Sequence, residues 1–91
     1  MKYMTEWKIR PGQTAEAAKR FLAGAANPPE GMTVLARWHK TDLSGGIVIG
    51  ECSNAQVLYD NAVSWADVIE FHTTPVVSDE EVGPILVKYY G

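Results

Sequence analysis

The order of elements in this chain limits its fold more than any other feature: a strand, a helix and a strand, written twice. The first unit runs from Lys2 to His39 and the second from Gly46 to Val77, with a Gly-rich turn between them. Each unit implies a right-handed crossover, and the short turn implies an antiparallel connection, so the first and third strands belong in the middle of one sheet. Both helices then lie on the same face, giving an α+β sandwich of two layers. The second face of the sheet needs another cover, and a second copy of the chain is the expected one.

The strands are read from period-two alternation. In Tyr3 to Ile9, Tyr3, Thr5, Trp7 and Ile9 share one side, while Met4, Glu6 and Lys8 share the other. In Met32 to His39, unbroken alternation sets Met32, Val34, Ala36 and Trp38 against Thr33, Leu35, Arg37 and His39. Ile47 to Cys52 is almost continuously apolar, as a central strand should be. Gly50 inside it signals a bulge or a close approach to the backbone. The fourth strand, about Glu70 to Val77, contains Pro75, which cannot donate a ladder hydrogen bond and so belongs at an edge or strand end.

The first helix is expected to start at Thr14, acting as N-cap, with Ala15, Ala18, Phe21, Leu22 and Ala25 as its apolar stripe. Asn27-Pro28-Pro29-Glu30-Gly31 ends it. Ser53 and Gln56 have the spacing of a capping box for the second helix, whose stripe is Leu58, Ala62, Trp65, Ala66 and Ile69. Ser78 and Glu81 form another capping box. Because Gly83-Pro84 follows, the reading here is a short turn and then a C-terminal helix from Pro84 to about Tyr90.

Ninety-one residues suit one domain spanning 1–91, with a core small enough that association with a second copy would add stability. A net charge of −3 and a single basic pair, Lys19-Arg20, argue against a nucleic-acid partner. A lone Cys52 cannot form an internal disulfide and fits a reducing, cytoplasmic setting. No apolar stretch has the length of a membrane helix, and no secretory leader is visible.

The chemistry-bearing residues are Glu6, Arg37, His39 and His72, which alternation places together on the open face beside Met4, Leu35 and Val76. As catalytic candidates, His39 or His72 would act as a base with Glu6 orienting the imidazole, and Arg37 would hold an anionic oxygen. Arg37, Trp38 and Gly50 are the candidate ligand-binding residues, while packing is the competing role for Trp7, Trp38 and Trp65. A Glu–Arg pair across an interface could equally do no more than satisfy itself. No metal-ligand spacing occurs, so no metal and no cofactor are expected. There is no nucleophile elbow or phosphate loop.

This order of elements is that of the ferredoxin-like βαββαβ sandwich with a C-terminal helix. Over nearly its whole length the chain resembles the dimeric α/β-barrel superfamily, in which two such protomers stack sheet to sheet. More narrowly, KYMTEWKIRPG, PPEGMTVLARWH, SGGIVIGE and WADVIEFHTTPVV resemble a small bacterial family known only as a domain of unknown function. The resemblance implies the fold and a homodimer, and it carries no catalytic residues across. The wider superfamily includes cofactor-free monooxygenases, haem-binding enzymes and small-molecule cyclases. The expected function is therefore binding or transformation of a small organic ligand in the cleft between sheet and partner. The alternative is a non-catalytic dimerisation domain with its interface packed shut.

Overall fold

The computed structural model describes residues 1–91. Its elements run β1 (Lys2–Ile9), α1 (Thr14–Leu22), β2 (Met32–His39), β3 (Gly45–Cys52), α2 (Ala55–Trp65), β4 (Ile69–Pro75) and α3 (Asp79–Tyr90). The four strands form one antiparallel sheet in the order β2-β3-β1-β4. This is the ferredoxin-like sandwich, with β1 and β3 central and the Pro75 strand at an edge.

Local chemistry sets the connections. Arg10-Pro11-Gly12-Gln13 is a reverse turn closed by the Gln13 N–H to Arg10 carbonyl bond at 3.0 Å. Gly12 takes the φ of +79° that follows a proline in a type II turn. In the β2–β3 hairpin, Asp42 Oδ1 accepts from the Ser44 amide at 3.0 Å and the Ser44 hydroxyl at 2.6 Å, holding the loop. The helices are tied to the end of the sheet by arginines. Arg20 grips both carboxylate oxygens of Asp67, and Arg10 Nε donates to the Ala66 carbonyl at 2.8 Å.

Three helix starts depart from the sequence reading. The residue before α1 is Gln13, which makes no side-chain cap, so Thr14 begins the helix without capping it. Asn54 rather than Ser53 caps α2, accepting from the Val57 amide at 3.2 Å. The Ser78–Glu81 capping box forms as expected, but α3 runs unbroken through Pro84. Pro84 is the sixth residue of α3, past the first turn, so its missing N–H forfeits the bond that would go back to the Glu80 carbonyl.

The sheet register settles which side chains share a face, and β2 differs from the expected pattern. Val34 pairs with Gly50 and Ala36 with Ile49, leaving Leu35 as the extra residue of a β-bulge. Past the bulge the alternation inverts, so Ala36 and Trp38 turn to the open face while Arg37 and His39 turn toward the helices. Three rows cross the helix-covered side: Pro75–Tyr3–Gly50–Val34, Thr73–Thr5–Val48–Arg37 and Phe71–Trp7–Gly46–His39. On the open side the rows are Thr74–Met4–Ile49–Ala36 and His72–Glu6–Ile47–Trp38.

The glycines of β3 shape the covered side. A methyl group on Gly46 would meet the Trp7 ring at 2.5 Å, and one on Gly50 would meet the Tyr3 hydroxyl at 2.6 Å. Both rings therefore lie across β3 where only glycine gives them room. The fully buried apolar side chains are few: Tyr3, Ala17, Cys52, Trp65, Val68 and Ile69. Ala17, Trp65, Val68 and Ile69 form a cluster at one end, joined by partly buried Trp7, Ile9, Ala26 and Phe71. The space between that cluster and the rest of α1 and α2 is not filled by side chains.

Candidate functional site

That space is a cavity of about 520 Å³ between the sheet and the helices. Its floor is the covered face of the sheet, and its walls are Ala17, Ala18, Phe21 and Leu22 of α1 with Leu58, Ala62 and Trp65 of α2. Only Ala17 of α1 and Trp65 of α2 are buried, so the two helices stand off the sheet and leave volume beneath them. A lining dominated by apolar side chains with a few polar groups is the usual character of a small-molecule site, and the size lies within the usual range.

The polar lining of the cavity is Thr5, Thr73, Arg37 and His39, with Thr14, Lys40 and Asn61. The Tyr3 side chain beneath it is 1% exposed, and its hydroxyl is closed off without a hydrogen-bond partner. Burial, and secondarily the nearby Cys52, raise the Tyr3 pKa above its ordinary value, with the Arg37 charge pulling weakly the other way. The phenol is therefore a neutral donor at physiological pH. Thr5 and Thr73 share one hydroxyl–hydroxyl bond at 2.8 Å in the middle row. Arg37 donates from one Nη to the Ala26 carbonyl at 2.8 Å, and its guanidinium lies 5.9 Å from the Phe21 ring centre. His39 stands at the mouth, edge-on to Trp7 and Phe21 with ring centres 5.3 Å apart in each case.

The six residues singled out in the sequence are thus divided between two faces. Arg37 and His39 line the cavity. Glu6 and His72 are cross-strand neighbours on the open face, where Glu6 takes the Lys40 ammonium at 3.1 Å and His72 lies 3.4 Å from Glu70. The four-residue constellation expected on one face therefore does not exist, because the Leu35 bulge sends half of it through the sheet. Trp38 is also corrected. It is 69% exposed on the open face beside Ile47 and lies outside the cavity. Gly50 sits beneath the Tyr3 ring and is not part of the cavity lining.

Tyr3 lies in the core, on the helix-covered face where its strand's alternation puts it. Cys52 is buried and free, packed at the end of β3. No three His, Cys, Asp or Glu side chains converge on a point where a metal ion could sit. No helix is long and apolar enough to cross a membrane.

Comparison with known proteins places the chain. The family model described as "Domain of unknown function (DUF3303)" matches residues 1–90. The chain belongs to the DUF3303 family. No curated protein matches it. Among solved structures, this DUF3303 chain is similar to one described as "putative Antibiotic biosynthesis monooxygenase from Chloroflexus aurantiacus J-10-fl". The identity is 17% and the TM-score 0.42, over 85% of this chain and 93% of that one.

Proposed function

We propose that this DUF3303 protein binds a small, largely apolar organic molecule inside each subunit, between the sheet and helices α1 and α2, and works as a homodimer. The observation that carries the reading is a cavity of about 520 Å³ whose mostly apolar lining includes the Arg37 guanidinium. A lining of that character is suited to a small organic ligand. The ligand site is thus moved from the sheet–partner cleft expected in the sequence to the opposite face. His39, at the mouth, is the remaining candidate base of this cavity. Glu6 and His72 act, in this reading, at the subunit contact.

The test uses N-phenyl-1-naphthylamine, an uncharged apolar fluorophore. Saturable binding at one per subunit is expected, and Val48→Phe, which fills the floor opposite Thr5, is expected to abolish it while preserving the far-ultraviolet circular dichroism spectrum. Absence of saturable binding, or binding untouched by Val48→Phe, overturns the reading.

Surface area supports the homodimer. The chain exposes 6529 Å², whereas a folded monomer of its mass exposes about 5,200 Å². The excess exceeds the roughly 800 Å² that each partner gives up in a standard interface. The open face supplies the matching patch, with Met4, Ile49 and Ala36 in one row and Ile47 and Trp38 in the next. Stacking two such faces buries the apolar centre and leaves the Glu6–Lys40 and Glu70–His72 pairs toward one rim.

A further inference from the structure

The charges around the cavity are lopsided. The chain carries 11 Asp and Glu against 8 Lys and Arg, yet the residues lining the cavity include no carboxylate. Their formal cations are Arg37 and Lys40. Lys40 turns its ammonium to Glu6 at 3.1 Å, so its charge is already met. Arg37 has no carboxylate partner.

That is unusual within this molecule. Three of its lysines and arginines are partly buried: Lys2, Arg20 and Arg37. Lys2 lies within 4 Å of Glu51 and Glu81, and Arg20 holds Glu16 and Asp67. Arg37 alone is left with a single neutral acceptor, the Ala26 carbonyl. A guanidinium has five N–H donors in a flat fork, so most of its donors are unspent. A partly desolvated cation without a counter-ion is costly, and a bound anion relieves it.

Arg37 offers the cavity a planar cationic edge, while Trp7, Phe21, Leu58, Trp65 and Phe71 supply apolar and aromatic wall. A carboxylate has two oxygens in one plane and suits that combination, since Arg–carboxylate pairs are commonly two-pronged.

We infer that the ligand is a small organic monocarboxylate, with its head group on the Arg37 guanidinium and its apolar, preferably aromatic, body against α1 and α2. This rests on the cavity being the ligand site. It goes further by fixing the charge and head group of what enters.

The experiment compares 2-naphthoate with its uncharged isostere 2-naphthamide by isothermal titration calorimetry on the full chain. The carboxylate is expected to bind about tenfold to a hundredfold tighter, the range for one charge-assisted hydrogen-bond set. Arg37→Gln is expected to erase that advantage, lowering the 2-naphthoate affinity far more than that of 2-naphthamide. Should Arg37→Gln fail to fold, Arg37→Lys, which keeps the charge and loses the fork, is expected to narrow the gap. Equal affinities in the native protein, or a gap unchanged in whichever variant folds, overturn the carboxylate assignment. If N-phenyl-1-naphthylamine binds while neither naphthyl compound does, the carboxylate assignment falls alone. If nothing binds, the cavity reading falls with it.

Discussion

A buried phenol without an acceptor is a burden that the ligand-free fold carries at Tyr3. Leaving such a group unsatisfied costs on the order of 1–3 kcal/mol. Tyr3→Phe is therefore expected to raise stability by about 1 kcal/mol in urea unfolding. The pH dependence follows from the raised pKa of Tyr3. Its neutral form is favoured in the fold, so the associated stability is complete below the ordinary value of 10.0 and is lost as the pH rises from there through the raised native value. The alkaline fall of the urea midpoint is expected to be shallower in Tyr3→Phe. Gly50 sits on the other side of the same contact. Gly50→Ala would drive a methyl group to 2.6 Å from both the Tyr3 hydroxyl and the Thr33 carbonyl oxygen. We expect it to lower stability by about 1–3 kcal/mol, the usual cost of overpacking, read from the thermal midpoint.

At the scale of elements, β1 and β4 were readable because alternation survives along them, β3 because it is an almost continuous apolar run, and the strand order followed from the crossovers. β2 was not, because a single extra residue at Leu35 inverts every assignment after it. Gly50 gave a hint of a bulge, but the extra residue lies on the strand opposite the glycine. The cavity was invisible for a related reason: alternation tells which side a residue faces and says nothing of how completely that side is filled. α3 misled through Pro84, whose penalty depends on where in the helix it falls. The α3 start also has an electrostatic signature. The Ser78 backbone and side-chain hydrogen bonds, with the Lys2 charge, hold the Glu81 carboxyl below its ordinary value of 4.5. This contribution is fully present above 4.5 and is lost as the pH falls through the depressed native value. The helical circular dichroism signal of the native protein is expected to exceed that of Glu81→Ala near neutrality, and the gap is expected to close in acid.

For the whole molecule, the radius of gyration of 15.3 Å exceeds the roughly 12 Å of a compact chain of this length. The long axis of 51 Å and the shortest of 17 Å describe a thin plate with an arm. The arm is α3, which buries none of its residues; Ile85, Val87, Tyr89 and Tyr90 are each more than half exposed. In the proposed homodimer the plate and arm both gain cover. Sedimentation equilibrium at micromolar concentration is expected to report a dimer. Ile47→Asp, placing a charge in the apolar rows, is expected to weaken it by at least about a hundredfold. Leu86→Asp tests the arm separately, and a smaller loss is expected there. A native chain that sediments as a monomer would end the homodimer proposal and leave the cavity untouched.

The bulge in β2 has a consequence for how this strand tolerates change. Up to Val34 and again at Arg37 and His39 it serves the interior chamber, whereas Ala36 and Trp38 serve the outer surface. If the chamber binds a ligand and the open face pairs as proposed, neighbouring letters of one short segment answer to two separate selective pressures. Relatives that retain the chamber while abandoning self-association should drift at 36 and 38 and hold firm at 37 and 39, a checkerboard of variation that simple amphipathic bookkeeping would assign the wrong way round.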